Sequence, residues 1–276
     1  MKLSISIATL LILQGLPAFA QCPVSDGEVV QMLSGSEAFE RLSATALTKG
    51  EFETTEQFEA RKAQAGGTTN EPLLIETIFD NENVKYDADN GRFIVVTYAW
   101  DNVGYDWRTA LAGGKEHGIE TGYRGQHGIV VEQDTQIGKT YTASNSYGAS
   151  TEVTEVIETT YAIYDRDSKE FSSTDWNSEF EHEHSVTPGS SVTIGAPAVS
   201  VFVPIERAKE IKGKLNAGVY VLPKGPRVIK GQGSFSATMR NPYDKDLQYR
   251  TIVADMLCAV ITDGSGTVLK TVSTKY

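Results

Sequence analysis

After residue 20, this 276-residue chain has no apolar run approaching the roughly 20 residues that a membrane-spanning helix requires, so no integral membrane segment is expected in the remainder. It also has no cluster of Lys and Arg. The densest basic stretch, Arg207 to Lys214, interleaves carboxylates and reads as a solvated helix face. With 25 basic against 36 acidic side chains and a formal charge of −11, the chain is repelled by phosphate backbones, which excludes nucleic acid as a partner. Nucleophile and phosphate motifs are missing too: there is no G-x-S-x-G elbow, no S-x-x-K, no H-E-x-x-H, no P-loop and no G-x-G-x-x-G opening a helix after a strand. These absences favour a non-enzymatic reading.

What is present begins with an export pattern. Lys2 supplies a positive start, Leu3 to Leu13 is nearly unbroken apolar sequence, Pro17 interrupts it, and Ala18-Phe19-Ala20 offers small residues to a signal peptidase. Residues 1–20 are therefore expected to be a signal peptide, with the mature chain starting at Gln21 in the periplasm or secreted beyond it. Gln21 occupies the place before Cys22 where lipidation needs a small residue, so a lipoprotein is not expected. There are two cysteines, Cys22 and Cys258, and an oxidising compartment allows them to form one disulfide tying the new N-terminus to a C-terminal hairpin; two free thiols are the alternative.

The pattern along the chain predicts a mainly β protein with a short helical N-terminal segment, an α+β arrangement of antiparallel strands and hairpins with one further helix near 205–214. Residues 21–68 form the helical segment. Phe39, Leu42, Ala46 and Leu47 recur at helical spacing behind the capping residues Ser34 and Ser36, and Thr54 with Gln57 forms a capping box that opens a second helix to about Ala65. Residues 69–170 form a β-rich region. Its strands are expected at Leu73–Phe79, Val84–Asp87, Arg92–Trp100, Ile129–Glu132, Thr140–Ala143 and Thr151–Tyr164, with a glycine-rich loop over 102–128. Residues 171–276 form a second β-rich region, with strands at Ala198–Val203, Gly218–Leu222, Arg227–Ile229, Ser234–Met239, Leu247–Ile261 and Thr267–Val272.

The segment Lys49–Arg61, KGEFETTEQFEAR, resembles one found in exported bacterial proteins of uncharacterised function. Asn145-Ser146-Tyr147-Gly148 is similar to an N-x-x-G segment expected later in the same proteins. The resemblance implies a bacterial envelope or secreted protein, and it brings no activity and no catalytic residue with it.

Two constellations could carry chemistry. His182-Glu183-His184 on a strand would put both imidazoles on one face, and a third ligand would complete an open zinc site; a polar, glutamate-rich loop is the plainer reading. His117 and His127 are further candidate ligands. Zinc is the only cofactor this allows, in a metal-dependent hydrolase. Trp100, Asp101, Tyr105, Trp107 and Arg108 interleave ring faces with polar groups, which suits a glycan or a peptide segment, although Trp100 could equally be the core side of a strand. Asp87-Ala88-Asp89-Asn90-Gly91 resembles the start of a calcium loop, but its glycine comes one place early and a β-turn is expected. The function expected is an exported, non-enzymatic protein that binds another envelope component, protein or glycan, with the hydrolase as the alternative.

Overall fold

The computed structural model describes residues 22–44, 49–65, 71–96, 110–111, 128–165, 181–182 and 197–273, and the structural statements below concern these residues. Strands dominate. A six-stranded sheet runs β1-β8-β9-β5-β4, where β1 is Leu73–Glu76, β4 Gly128–Ser144, β5 Ser150–Tyr164, β8 Asn216–Phe235 and β9 Tyr243–Thr262; β10, Val268–Ser273, also pairs with β9. A four-stranded sheet runs β2-β3-β7-β6, from Val84–Asp87, Arg92–Val96, Pro197–Phe202 and Glu181–His182. Three α-helices accompany them: α1, Gly35–Ser43; α2, Thr55–Ala65; and α3, Ile205–Ile211.

The pairings are antiparallel with one exception. β5 lies parallel to β9, with Thr154 opposite Tyr243 and Tyr164 opposite Val253, so the large sheet is mixed where hairpin signals alone implied an antiparallel one. The two strands are far apart in sequence, and a turn signal cannot report such a pairing. Several strands are also longer than the sequence pattern suggested. Ile129–Glu132 and Thr140–Ala143 belong to the single 17-residue β4; Gly218–Leu222, Arg227–Ile229 and the start of the expected Ser234–Met239 strand belong to the 20-residue β8, which ends at Phe235 and leaves 236–239 outside it. Register shifts sit in the breaks: between Ile137 and Thr140 in β4, and between Pro223 and Val228 in β8. A bulge interrupts the alternation of residues without ending the strand, so it reads as a gap in the pattern.

One hydrophobic cluster joins the two sheets. Phe93, Val95, Val199 and Val201 of the smaller sheet meet Ile75, Val219, Val221, Ile252, Ala254, Met256 and Ile261 of the larger one, with Ala38, Phe39 and Leu42 of α1 and Ala208 and Ile211 of α3. Alternation in β3 explains its part, because Phe93 and Val95 share the inward face. β9 instead reads as a nearly continuous apolar run from Ile252 to Ile261, since both of its faces are covered. Val253 meets Tyr164, Ile229 and Leu111, while Val260 meets Val24, Leu74 and Val268.

Residues 22–33 strap the N-terminus across this second face. Gly27 N donates to Val268 O at 2.7 Å, Val268 N to Glu28 O at 2.8 Å and Val30 N to Gly266 O at 2.9 Å. The strap is anchored by a disulfide between Cys22 and Cys258, with Cα atoms 5.5 Å apart. Among the described residues no helix is long and apolar enough to cross a membrane. The disulfide fits a protein outside the cytoplasm.

The segment 49–61 is explained by local hydrogen bonding. Thr54 N donates to Gln57 Oε1 at 2.9 Å and Gln57 N to Thr54 Oγ1 at 3.2 Å, a capping box at the start of α2. Arg61 grips Glu53 with two donors, Nε to Oε1 at 2.8 Å and Nη2 to Oε2 at 2.7 Å, and its guanidinium lies 5.3 Å from the Phe58 ring centroid. These contacts hold the Glu53 carboxyl at about 2, below the ordinary 4.5: the Arg61 hydrogen bonds act most, and the Gly50 amide adds to them. Asp87-Ala88-Asp89-Asn90-Gly91 is the β2–β3 turn, where Asp87 Oδ1 accepts from the Asp89 and Asn90 amides at 3.2 Å each.

Candidate functional site

A cleft opens where α1 meets β4. Between Val130 and Glu132 the register against β5 shifts, which inserts Val131 as an extra residue and turns Glu132 toward the helix start. Glu132 Oε2 accepts from Ser36 N at 2.7 Å, and Ser36 Oγ donates to Oε1 at 2.9 Å. Ser34 caps the same helix, accepting from Glu37 N at 3.1 Å while Glu37 Oε2 accepts from Ser34 N at 2.9 Å. Two carboxylates thus serve backbone amides that a helix start leaves without intrahelical partners.

Glycine at position 35 permits this approach. A Cβ there would lie 2.8 Å from Val131 Cγ2 and 3.1 Å from both Glu132 Cβ and Tyr161 Cβ, closer than side chains tolerate. The cleft beside the junction has a volume of about 460 Å³ and is lined by Ser34, Gly35, Glu76–Ile78 and Val131–Gln133. Its lining includes the acceptors Glu76 and Glu132 and, among the described residues, no Lys or Arg. Tyr161 stands opposite Glu132 in the register, and its phenol is pushed up mainly by burial, with the Glu132 charge adding to it.

Beyond this cleft the large sheet extends as an arm. β4 from 133 to 142 is exposed throughout, and the hairpin β4–β5 ends at Asn145–Ala149, where Asn145 Oδ1 accepts from the Tyr147 and Ala149 amides at 2.9 and 3.0 Å. Gly148, at φ +81°, closes that turn in a conformation that costs glycine little. The β8–β9 hairpin turns at the same end, because Thr154 N donates to Pro242 O at 2.9 Å. Of the ten exposed large apolar side chains among the described residues, six gather here: Ile137, Tyr141, Tyr147, Phe235, Met239 and Tyr243.

Their arrangement follows from the register. Ile137 is opposite Val156, Val156 opposite Lys245, and Lys245 opposite Phe235, so these four side chains form one row across four strands on one face. Ile137 is 68% exposed and Phe235 61%, while Val156 between them is buried at 5%. Lys245 reaches Glu158 on the same face, and Tyr243 extends the row by one step toward the tip. On the opposite face Tyr141 crosses from Val153 to place its hydroxyl 3.1 Å from Asp244 Oδ2, a contact that pushes its phenol up.

Most of the binding and metal candidates read from the sequence lie outside the described residues. Trp100, Asp101, Tyr105, Trp107 and Arg108 lie outside the described residues, as do His117, His127 and His184. His182 is in the two-residue β6, opposite Pro197. Among the described residues there is no group of three or more His, Cys, Asp or Glu side chains that could hold a metal ion. Compared with known proteins, the chain matches no family model, no curated protein and no solved structure. The arm was not singled out from sequence, although one signal was available. Thr135, Ile137, Thr140, Tyr141 and Thr142 are strand formers set among polar residues with no alternating apolar face, the pattern of a strand that leaves its core behind.

Proposed function

We propose that this is an exported, non-enzymatic protein that binds another component of the cell envelope through the far end of its long sheet. The observation carrying this reading is the gathering of Ile137, Phe235, Tyr243, Met239 and Tyr147 on the outer part of two neighbouring hairpins. Exposed apolar side chains concentrated at one end of a sheet cost solubility and are retained where a partner covers them. The disulfide and the N-terminal export pattern support placement outside the cytoplasm. A partner protein with apolar side chains around a polar group fits the Ile137–Phe235 row, in which Lys245, reaching Glu158, stands between Val156 and Phe235.

A photo-crosslinking residue placed at Phe235 or Tyr243 in living cells tests this. The expected result is a discrete crosslinked envelope partner from both positions and none from Glu206, which is exposed on α3. Equal labelling from all three positions, or none from the arm, overturns the reading. Elemental analysis of the same purified protein separates it from a zinc hydrolase built on His182 and His184, which requires stoichiometric metal.

A further inference from the structure

We propose that the outer edge of β4 pairs with the same edge of a second copy, forming a two-fold dimer through one continuous antiparallel sheet centred on Gln136. β4 is the terminal strand of the large sheet, and residues 133–142 are exposed. No described strand pairs with its outer edge, which leaves a row of backbone donors and acceptors available to an added strand.

The charges along β4 select the occupant. Its sequence from Glu132 to Tyr141 is EQDTQIGKTY, acidic at the start and basic at Lys139. Among the described residues neither Asp134 nor Lys139 has an ion-pair partner; the Asp134 carboxylate accepts from Gln136 Nε2 at 3.1 Å. Parallel pairing of two copies in register would set Asp134 on Asp134 and Lys139 on Lys139. Antiparallel pairing about Gln136 sets each Asp134 opposite the other copy's Lys139, twice per dimer.

The bulge makes this register sterically consistent. An antiparallel two-fold at a sheet edge has its axis perpendicular to the sheet, so opposed residues must share a face. Gln136 lies opposite Ile157, Ile137 opposite Val156 and Thr140 opposite Thr154, so Gly138 and Lys139 together face Glu155. A Cβ on Gly138 would lie 3.0 Å from Glu155 Cβ, which agrees with that placement. Counting the pair as one step, Asp134 and Lys139 fall equally far from Gln136 and on its face. Thr135 then opposes the other copy's Ile137 on the other face, and the exposed isoleucines gain cover. Because the contact is isologous it closes at two chains and does not propagate.

This pairing uses the backbone edge of β4, whereas the proposed envelope partner is read from Phe235 and Tyr243 on other strands; the two share Ile137 and are told apart by separate readouts, the mass of the purified protein here and crosslinking in cells there. The experiment measures the mass of the mature protein by light scattering and sedimentation from micromolar to 100 μM, with circular dichroism as the folding control. The expected result is twice the mass of one chain, with dimerisation weakened about tenfold or more in Lys139→Asp by the like charges now opposed. It is recovered in the double variant Asp134→Lys with Lys139→Asp. Gln136→Cys should also give a disulfide-linked dimer under mild oxidant, since the chain's two native cysteines are already bridged. A monomer at the highest concentration overturns the proposal. So does a folded Lys139→Asp variant that dimerises as well as the parent, or a Gln136→Cys protein that fails to crosslink.

Discussion

Glu132 holds the backbone nitrogen of Ser36 at 2.7 Å, a charged contact between residues 96 apart in sequence that pins the start of α1 to the bulge of β4. The two halves of the contact depend on separate features. The bulge at Val131 aims the carboxylate, and the missing side chain at position 35 lets the helix come close enough to receive it. Beyond this pin β4 leaves the core and becomes the exposed arm, so the junction marks where the packed body ends.

Gly35→Ala tests that approach. Alanine is the better helix former, by about 1 kcal/mol, which argues for stabilisation. The new Cβ, 2.8 Å from Val131 Cγ2 and close to two further Cβ atoms, argues against it, and overpacking in a buried site costs roughly 1–3 kcal/mol. The clash is expected to win, with net destabilisation read from urea denaturation. An unchanged or higher midpoint would mean that the helix shifts without penalty.

The Cys22–Cys258 bridge closes a loop across 236 residues. Chain entropy allows up to about 5 kcal/mol for such a closure, and measured contributions of native bridges run about 2–5 kcal/mol. The mature oxidised protein should therefore show no thiol under denaturing conditions and should melt markedly lower after reduction or in Cys22→Ser. Two titratable thiols per chain, or an unchanged melt, would contradict the bridge.

Glu53 gives a titration to follow. Its carboxyl is held at about 2 rather than 4.5 by Arg61 first and by the Gly50 amide after it. A depressed carboxyl stabilises the folded form fully above the ordinary value, and that contribution is lost as pH falls from about 4.5 toward 2. An NMR titration should place the Glu53 midpoint near 2 and return it toward 4.5 in Arg61→Gln. An unmoved midpoint in that variant would show that Arg61 is not the cause.

The elements with local signals were legible in the letters. The Thr54 and Gln57 capping box, the Asp87–Gly91 turn, the helix after Pro204 and the Cys22–Cys258 pairing each depend on neighbours in sequence or on elimination within a pair. Long-range pairing was not. Nothing in Thr154–Tyr164 or Tyr243–Val253 specifies that they lie parallel, because that choice is made by the fold around them. The arm escaped for a related reason: Ile137 and Phe235 look like ordinary strand residues until the register sets them in one row beyond the core. The candidate aromatic and histidine residues, from Trp100 to His184, fall outside the described residues apart from His182.

Asp263 offers a buried carboxylate whose role is structural. Burial by itself would raise its carboxyl, but the Ser265 hydroxyl and amide, the Thr267 amide and Arg207 together outweigh that and hold it below the usual range. Its stabilising contribution is present above the unfolded value near 4 and disappears as pH falls through the lower folded value. Asp263→Ala leaves two turn amides without their acceptor and should cost roughly 1–3 kcal/mol at neutral pH. The difference between parent and variant should shrink in acid denaturation series. A gap that stays constant to the acid end of the series would remove ionisation from the account.

The Ile137–Val156–Lys245–Phe235 row separates scaffold from contact surface by stability alone. Val156, at 5% exposure, is packed, and its truncation to alanine removes two methyl groups worth about 0.8 kcal/mol each plus a cavity term, roughly 2 kcal/mol in all. Ile137 and Phe235, at 68% and 61% exposure, have little burial to lose, so Ile137→Ser and Phe235→Ser should stay within about 0.5 kcal/mol of the parent. Strand propensity works slightly against serine at both positions, which sets the small residual cost. Urea curves for the three single variants decide the matter. If the two exposed substitutions cost as much as Val156→Ala, the row is part of the protein's own core, and a partner surface at this end of the sheet loses its physical basis.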